Sequence, residues 1–185
     1  MKPRSVLISL IAMWALVSCG DTDVDGFYAS ERAFLRYDRV FTAAPLHSAL
    51  SNPGMFCSIV VSNGYFVFEG SDGQTCPPDQ FTEIDNRVRP QYVAGFVVGV
   101  PAVPDMQTGS APVAYDLVCP NCYADHALTR RLSFATTTTM TCSRCHRTYD
   151  LNNGGHVSSE AGGRKMLRYH ISYNAGMGVV LITNP

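Results

Sequence analysis

The sequence predicts a compact all-β domain that carries a four-cysteine metal site. Three observations predict it. Short runs rich in Val, Ile, Tyr and Phe recur between turns that contain Gly, Pro and Asn. No long segment carries apolar residues at a period of 3.6. Two Cys-x-x-Cys pairs, Cys119/Cys122 and Cys142/Cys145, are separated by nineteen residues, inside the range for a four-cysteine metal site.

Composition sets the outer bounds. A chain of 185 residues suffices for one domain with its own core. Charged residues make up 16% and hydrophobic residues 46%, which excludes a disordered chain or a coiled coil. The formal net charge is −1 and no basic run occurs, so no nucleic acid is expected as a partner.

The first nineteen residues stand apart from the fold. Lys2 and Arg4 precede an apolar run over residues 6–17, VLISLIAMWALV, too short to span a bilayer comfortably. It ends Leu16-Val17-Ser18-Cys19-Gly20. Small residues before a cysteine at the end of such a run resemble a bacterial lipoprotein signal. The resemblance implies cleavage before Cys19, lipidation of its thiol, and tethering in the bacterial cell envelope, at the outer membrane or on the periplasmic face. An ordinary secretory signal is the alternative. Residues 1–18 are then a leader, 19–30 an acidic, polar tether, and 31–185 the domain. Loss of Lys2 and Arg4 with the leader takes the net charge to −3.

Within the domain, residues 34–41 (FLRYDRVF) alternate as an early strand. Residues 43–55 carry Pro45 and the turn Asn52-Pro53-Gly54 and read as a loop, with His47 exposed on it. Residues 56–61 and 65–68 flank Ser62-Asn63-Gly64, a strong hairpin signal. Residues 69–78 form a loop that carries Cys76. Cys57 and Cys76 remain once lipid and metal pairs are assigned, and an oxidising compartment makes them a candidate disulfide, with two separate thiols as the alternative. Residues 92–100 read as a buried strand and 112–118 as a strand leading into Cys119. The Thr136–Thr139 run suits a strand. Residues 165–171 and 177–183 form a closing hairpin around 172–176.

Cys119 to Gly155 is a metal-loop subdomain, set within 115–155. A Cys-x-x-Cys pair closes a tight turn, and two such turns face to face present four thiolates to one tetrahedral ion. The order of elements is strand, loop, strand, loop, then Tyr149-Asp150-Leu151-Asn152-Asn153-Gly154-Gly155 and a closing hairpin. With Gly95-Phe96-Val97-Val98 and Ala114-Tyr115-Asp116 upstream, this resembles a Rieske-type domain, as in ferredoxin components and bacterial Rieske-like lipoproteins. The resemblance covers roughly residues 34–183 and implies two loops meeting at the tip of a small antiparallel barrel or sandwich. That family holds [2Fe–2S] with two cysteines and two histidines. Here Asn121 and Cys145 stand where the histidines would be, and His146 comes one residue late. The loops look more like zinc-ribbon or rubredoxin knuckles.

Zinc is therefore the first expectation for Cys119, Cys122, Cys142 and Cys145. A single iron or an all-cysteine [2Fe–2S] cluster is the second, and two disulfides the third. Cys142-Ser143-Arg144-Cys145-His146 also matches a c-type haem attachment motif, which would leave Cys119 and Cys122 unexplained. Arg130, Arg131, Arg144 and Arg147 lie beside the loops and can offset the −2 charge of a four-thiolate zinc. His126 and His156 are loop residues, either of which can reach the site only indirectly, and His170 is expected at the surface. The sequence carries no nucleophile elbow, phosphate loop or His-Glu-x-x-His helix, and a four-cysteine zinc leaves no open position for substrate. The expectation is a binding or scaffold module in the envelope with an unidentified protein partner, or, with iron, a one-electron carrier.

Overall fold

The computed structural model describes residues 27–104, 108–159 and 162–184. The leader and the lipidation candidate Cys19 lie outside them. In chain order the elements are β1 (Ala33–Tyr37), a 3-10 turn (Val40–Thr42), α1 (Ala44–Ser51), β2 (Met55–Ser62), β3 (Tyr65–Gly70), β4 (Asp79–Gln80) and α2 (Glu83–Arg87). There follow β5 (Phe96–Val100), β6 (Val113–Asp116), α3 (Pro120–His126), β7 (Ser133–Phe134), β8 (Thr139–Thr141), β9 (Thr148–Asp150), β10 (His156–Val157), β11 (Arg168–Asn174) and β12 (Val179–Asn184). Strands dominate, as expected, and those described pair antiparallel throughout.

Eight strands form one sheet in the order β1-β12-β11-β6-β5-β2-β3-β4. Its two ends meet. Tyr37 on β1 packs on Phe66 and Phe68 of β3, with ring centroids 5.2 and 5.1 Å apart. Its hydroxyl donates to Asp79 of β4 at 2.7 Å. Arg39 then pairs with Asp79 at 2.7 Å and Asp85 at 3.1 Å. The sheet therefore curls into a barrel closed by side chains rather than by a ladder. Leu35, Ile59, Phe96, Val98, Val180 and Ile182 fill it with those rings, and α1 packs over β2, β3 and β5.

The β2–β3 hairpin turns where the Asn-Gly step predicts. Asn63 has φ 52° and Gly64 φ 79°, the left-handed pair that a two-residue turn of this hand requires. Every residue of β5 is buried. Phe96 and Val98 face the barrel while Val97 faces a second apolar cluster outside it. A Cβ at Gly99 would run into the Met55 carbonyl and the Phe56 ring, so the close approach of β2 to β5 depends on glycine.

Several boundaries move. The early strand stops at Tyr37, the 92–100 strand starts at Phe96, and the strand before Cys119 narrows to β6. The last hairpin shifts so that its turn falls at 175–178. Residues 44–51 are a helix rather than a loop, because Pro45 sits in the first turn, where its missing N–H is not needed. In α2, Thr82 and Asp85 form a reciprocal capping box. Of the threonine run only Thr139 enters a strand, as the first residue of β8. The Thr136 hydroxyl accepts from the N–H of Thr138 and Thr139, at 3.3 and 3.1 Å, and this local bonding makes the β7–β8 turn. Residues 27–29, expected in the tether, dock instead. The Ala29 N–H donates to the Arg168 carbonyl at 2.9 Å, Tyr28 stacks on exposed His170 at 3.5 Å, and the Arg168 guanidinium lies 4.1 Å over the Phe27 ring.

Candidate metal centre

Four strands of two or three residues make a second sheet in the order β10-β9-β8-β7. It packs against the outer face of β5 and β6 through a cluster that includes Val97, Tyr115, Leu117, Leu132, Met140, Tyr149 and Leu151. The metal loops grow out of this cluster.

The first loop leaves β6 at Asp116, whose side chain is 0% exposed. Its carboxylate accepts from the backbone N–H of Val93 (2.8 Å), Ala94 (3.0 Å) and Val118 (2.7 Å) and from the Tyr169 hydroxyl (3.1 Å). Burial pushes this carboxyl up, against the pull of those donors. Four donors with no acceptor nonetheless form a socket built for the carboxylate. Cys119 then caps α3, with Pro120 in the first turn, and Cys122 lies inside that helix. The expected tight turn is thus the first turn of a helix. Ala127 ends α3 at φ 52°. The chain doubles back, with the Cys119 N–H donating to the Arg130 carbonyl at 2.7 Å and the Leu132 N–H to the Leu117 carbonyl at 2.7 Å. The helix N-terminus missing from the sequence reading is present, but its flanking strands are antiparallel, unlike the setting of a thioredoxin-type pair.

The second loop is a knuckle. The His146 N–H donates to the Cys142 carbonyl at 3.0 Å and the Cys142 N–H to the Arg147 carbonyl at 3.1 Å. His146 takes the left-handed conformation, φ 57°, which turns the chain back into β9.

The four sulfurs converge. All lie within 4.8 Å of one another. Cys119 and Cys145 Sγ are 3.6 Å apart, and Cys122 and Cys142 Sγ 3.8 Å. Cys119, Cys122 and Cys142 are buried, whereas Cys145 is half-buried and forms the open edge. Burial pushes the Cys119 and Cys122 thiols up. At Cys145 burial acts the same way, but the backbone N–H and guanidinium of Arg147 outweigh it, and the thiol falls to about 7.

Tyr149 and Asn121 support the sulfurs. The Asn121 amide N–H donates to the Tyr149 hydroxyl oxygen at 2.9 Å. The tyrosine proton is thereby free to point at Cys119 Sγ, 3.3 Å away. The Asn121 carbonyl oxygen accepts from the Arg164 N–H at 3.1 Å. Asn121 is thus no ligand; it ties the 162–164 segment to the metal loop. Gly163, at φ 139°, lies so close that a Cβ there would be 2.5 Å from the Asn121 side-chain oxygen. Arg147 Nε reaches the Gly162 carbonyl at 2.8 Å.

The other predicted neighbours scatter. Arg131 donates to the Ala94 carbonyl at 3.0 Å, while Arg130 and Arg144 are exposed. His126, His146 and His156 are exposed and outside the ligand group. Both cysteines of the haem-type motif are committed to the four-sulfur group, and none of the four forms a disulfide. Cys57 and Cys76 also stand as thiols, Cys57 in the barrel core and Cys76 packed against it. Burial pushes both up. Sequence left Asp116 near the loops without a role. Its signal is its position as the last residue of β6, three before Cys119, where the chain must turn with its backbone N–H groups satisfied.

No protein-family model and no curated protein sequence matches the chain.

Proposed function

We propose that this chain is an extracytoplasmic lipoprotein whose Rieske-like domain holds a single zinc ion on Cys119, Cys122, Cys142 and Cys145. In this reading the ion is structural and the domain serves as an envelope binding module. One observation carries the single-ion reading. Tetrahedral zinc with metal–sulfur distances of about 2.3 Å places its sulfurs about 3.8 Å apart. The nearest sulfur pairs here are 3.6 and 3.8 Å apart, and the whole set lies within 4.8 Å. A [2Fe–2S] cluster divides its ligands between two irons separated by bridging sulfides, and this compact set does not have that division. Four thiolates also fill the coordination shell of zinc and leave no position for substrate.

A second reading rests on Tyr149 and Arg147. Hydrogen bonds to ligand sulfurs tune an iron centre, and the half-buried Cys145 edge gives an electron a short path outward. In that reading the domain is a one-electron carrier with one iron. Elemental analysis of the full chain in neutral detergent, with a visible spectrum before and after dithionite, separates the two. Zinc near one per chain and a colourless sample support the first. Iron with a spectrum that bleaches reversibly overturns it.

A further inference from the structure

A groove of about 980 Å³ opens at the start of β1, lined there by Ala33 and Phe34 and by their β12 partners Asn184 and Thr183. Its floor is fixed by a two-way bridge. The Phe34 N–H donates to the Gln91 carbonyl at 2.9 Å and the Gln91 N–H to the Phe34 carbonyl at 2.8 Å. Among the described residues three arginines line it, Arg32 before β1, Arg87 at the end of α2 and Arg89 two residues beyond, and no Asp or Glu does. All three are exposed. The chain as a whole has 14 basic against 15 acidic residues, so this convergence does not follow from a basic composition.

The neighbouring arginines show the contrast. Arg36 pairs with Asp38 at 2.8 Å, and Arg39 with Asp79 and Asp85. In the groove, Arg87 reaches only Glu83, at 3.8 Å, with both side chains at least 80% exposed, an arrangement worth little. Arg32 and Arg89 have no ion pair among the described residues. Guanidinium forks match the oxygens of a phosphate. Val88, in the lining, is 52% exposed, and Ile84, one turn earlier in α2 and outside the lining, is 56% exposed. Cations with an apolar shoulder suit an amphiphile better than a bare ion.

Position selects the source. Asn184, also in the groove wall, donates through its side chain to the Ala29 and Glu31 carbonyls, each at 2.7 Å. The groove therefore lies where the N-terminal segment enters the domain. Phe27 is eight residues past Cys19, at most roughly 28 Å of extended chain. We infer that Arg32, Arg87 and Arg89 form a binding site for the phosphate of an anionic phospholipid in the bilayer that holds Cys19, with Val88 and Ile84 against the start of its acyl chains. The choice of lipid as source rests on the lipoprotein reading; the anion site itself does not.

The test is calorimetric titration of the full chain in neutral detergent with dihexanoyl phosphatidylglycerol, dihexanoyl phosphatidylcholine and inorganic phosphate. Saturable binding of the glycerol lipid is expected, with the choline lipid and inorganic phosphate each at least about tenfold weaker. The Arg32→Gln/Arg87→Gln/Arg89→Gln variant should bind at least about tenfold more weakly with an unchanged unfolding midpoint, and Arg36→Gln should bind as the parent does. Absence of binding, or equal binding by the triple variant, overturns the site. Equal affinity for inorganic phosphate overturns the lipid assignment. The anchor is judged separately, by the mass of the N-terminal peptide with and without Cys19→Ser. A missing acyl mass sinks the lipoprotein reading whatever the titration gives.

Discussion

The barrel and the small sheet are both antiparallel, yet they are ordered by different means. Barrel strands β2 and β12 run to eight and six residues, and the interior holds Tyr37, Phe66, Phe68 and Phe96, none more than 1% exposed. Burial on that scale orders a sheet without help. The small sheet has strands of two or three residues, below what stands alone in water. Its interior sets Cys119, Cys122 and Cys142 among apolar residues such as Met140, Tyr149 and Leu151. Strands this short take their order from the apolar cluster they share with β5 and β6, and a metal on the four cysteines would add a cross-link between the loops.

The largest test of that contrast removes a ligand. Cys122→Ser should abolish metal binding and melt the small sheet, a local loss of more than about 5 kcal/mol given what structural zinc contributes. Hydrogen exchange should accelerate across 119–157 while 55–70 stays protected. Uniform acceleration would show that the two regions fold as one. Next comes the converse. Phe66→Ala should destabilise the barrel by about 3–5 kcal/mol, lowering the denaturation midpoint with the metal content per chain unchanged.

Smaller effects sharpen the boundary between the regions. Tyr149→Phe removes the hydroxyl between Asn121 and Cys119 and leaves the buried Asn121 N–H without that acceptor, about 1–3 kcal/mol. Metal should remain, but transfer to a chelator should be faster. The smallest effect is set by pH and belongs to the barrel seam. Burial raises the Asp85 carboxyl, yet the Thr82 N–H and hydroxyl and the Arg39 guanidinium outweigh it and hold the folded pKa below the ordinary carboxylate value. Asp85 therefore contributes stability that is fully present above the unfolded carboxylate pKa and is lost as pH falls through the folded one. Asp85→Asn should lose about 1–2 kcal/mol at neutral pH and flatten the acid limb of a stability-against-pH curve. An unchanged acid limb would mean that Arg39 closes the seam through Asp79 alone.

Much of this contrast was legible in the residues. Asn63-Gly64 located a hairpin because only a few residue types accept two consecutive left-handed positions. The cysteine spacing located the metal group because tetrahedral ligation needs two close pairs and little else. The parts that were not legible are those settled by local bonds or by distant partners. Thr136 hydrogen-bonds the next turn and breaks a run whose side chains suit a strand. Helix α1 carries Pro45, which reads as a breaker unless its place in the first turn is known. The socket around Asp116 draws on residues 93, 94, 118 and 169, a set that no linear motif spells out. Asn121 occupies a position that resembles a ligand site and instead fastens two loops.

The pairing of β1 with β12 has a consequence for how the protein is made. Ala33 lies opposite Asn184, and the Asn184 side chain holds Ala29, 155 residues away. The first strand to be made is thus among the last to find its partner. Closure of so large a loop is slow, so the barrel stays open until β12 has been made. Until then the edges of β1 and β11 that β12 joins stay unpaired.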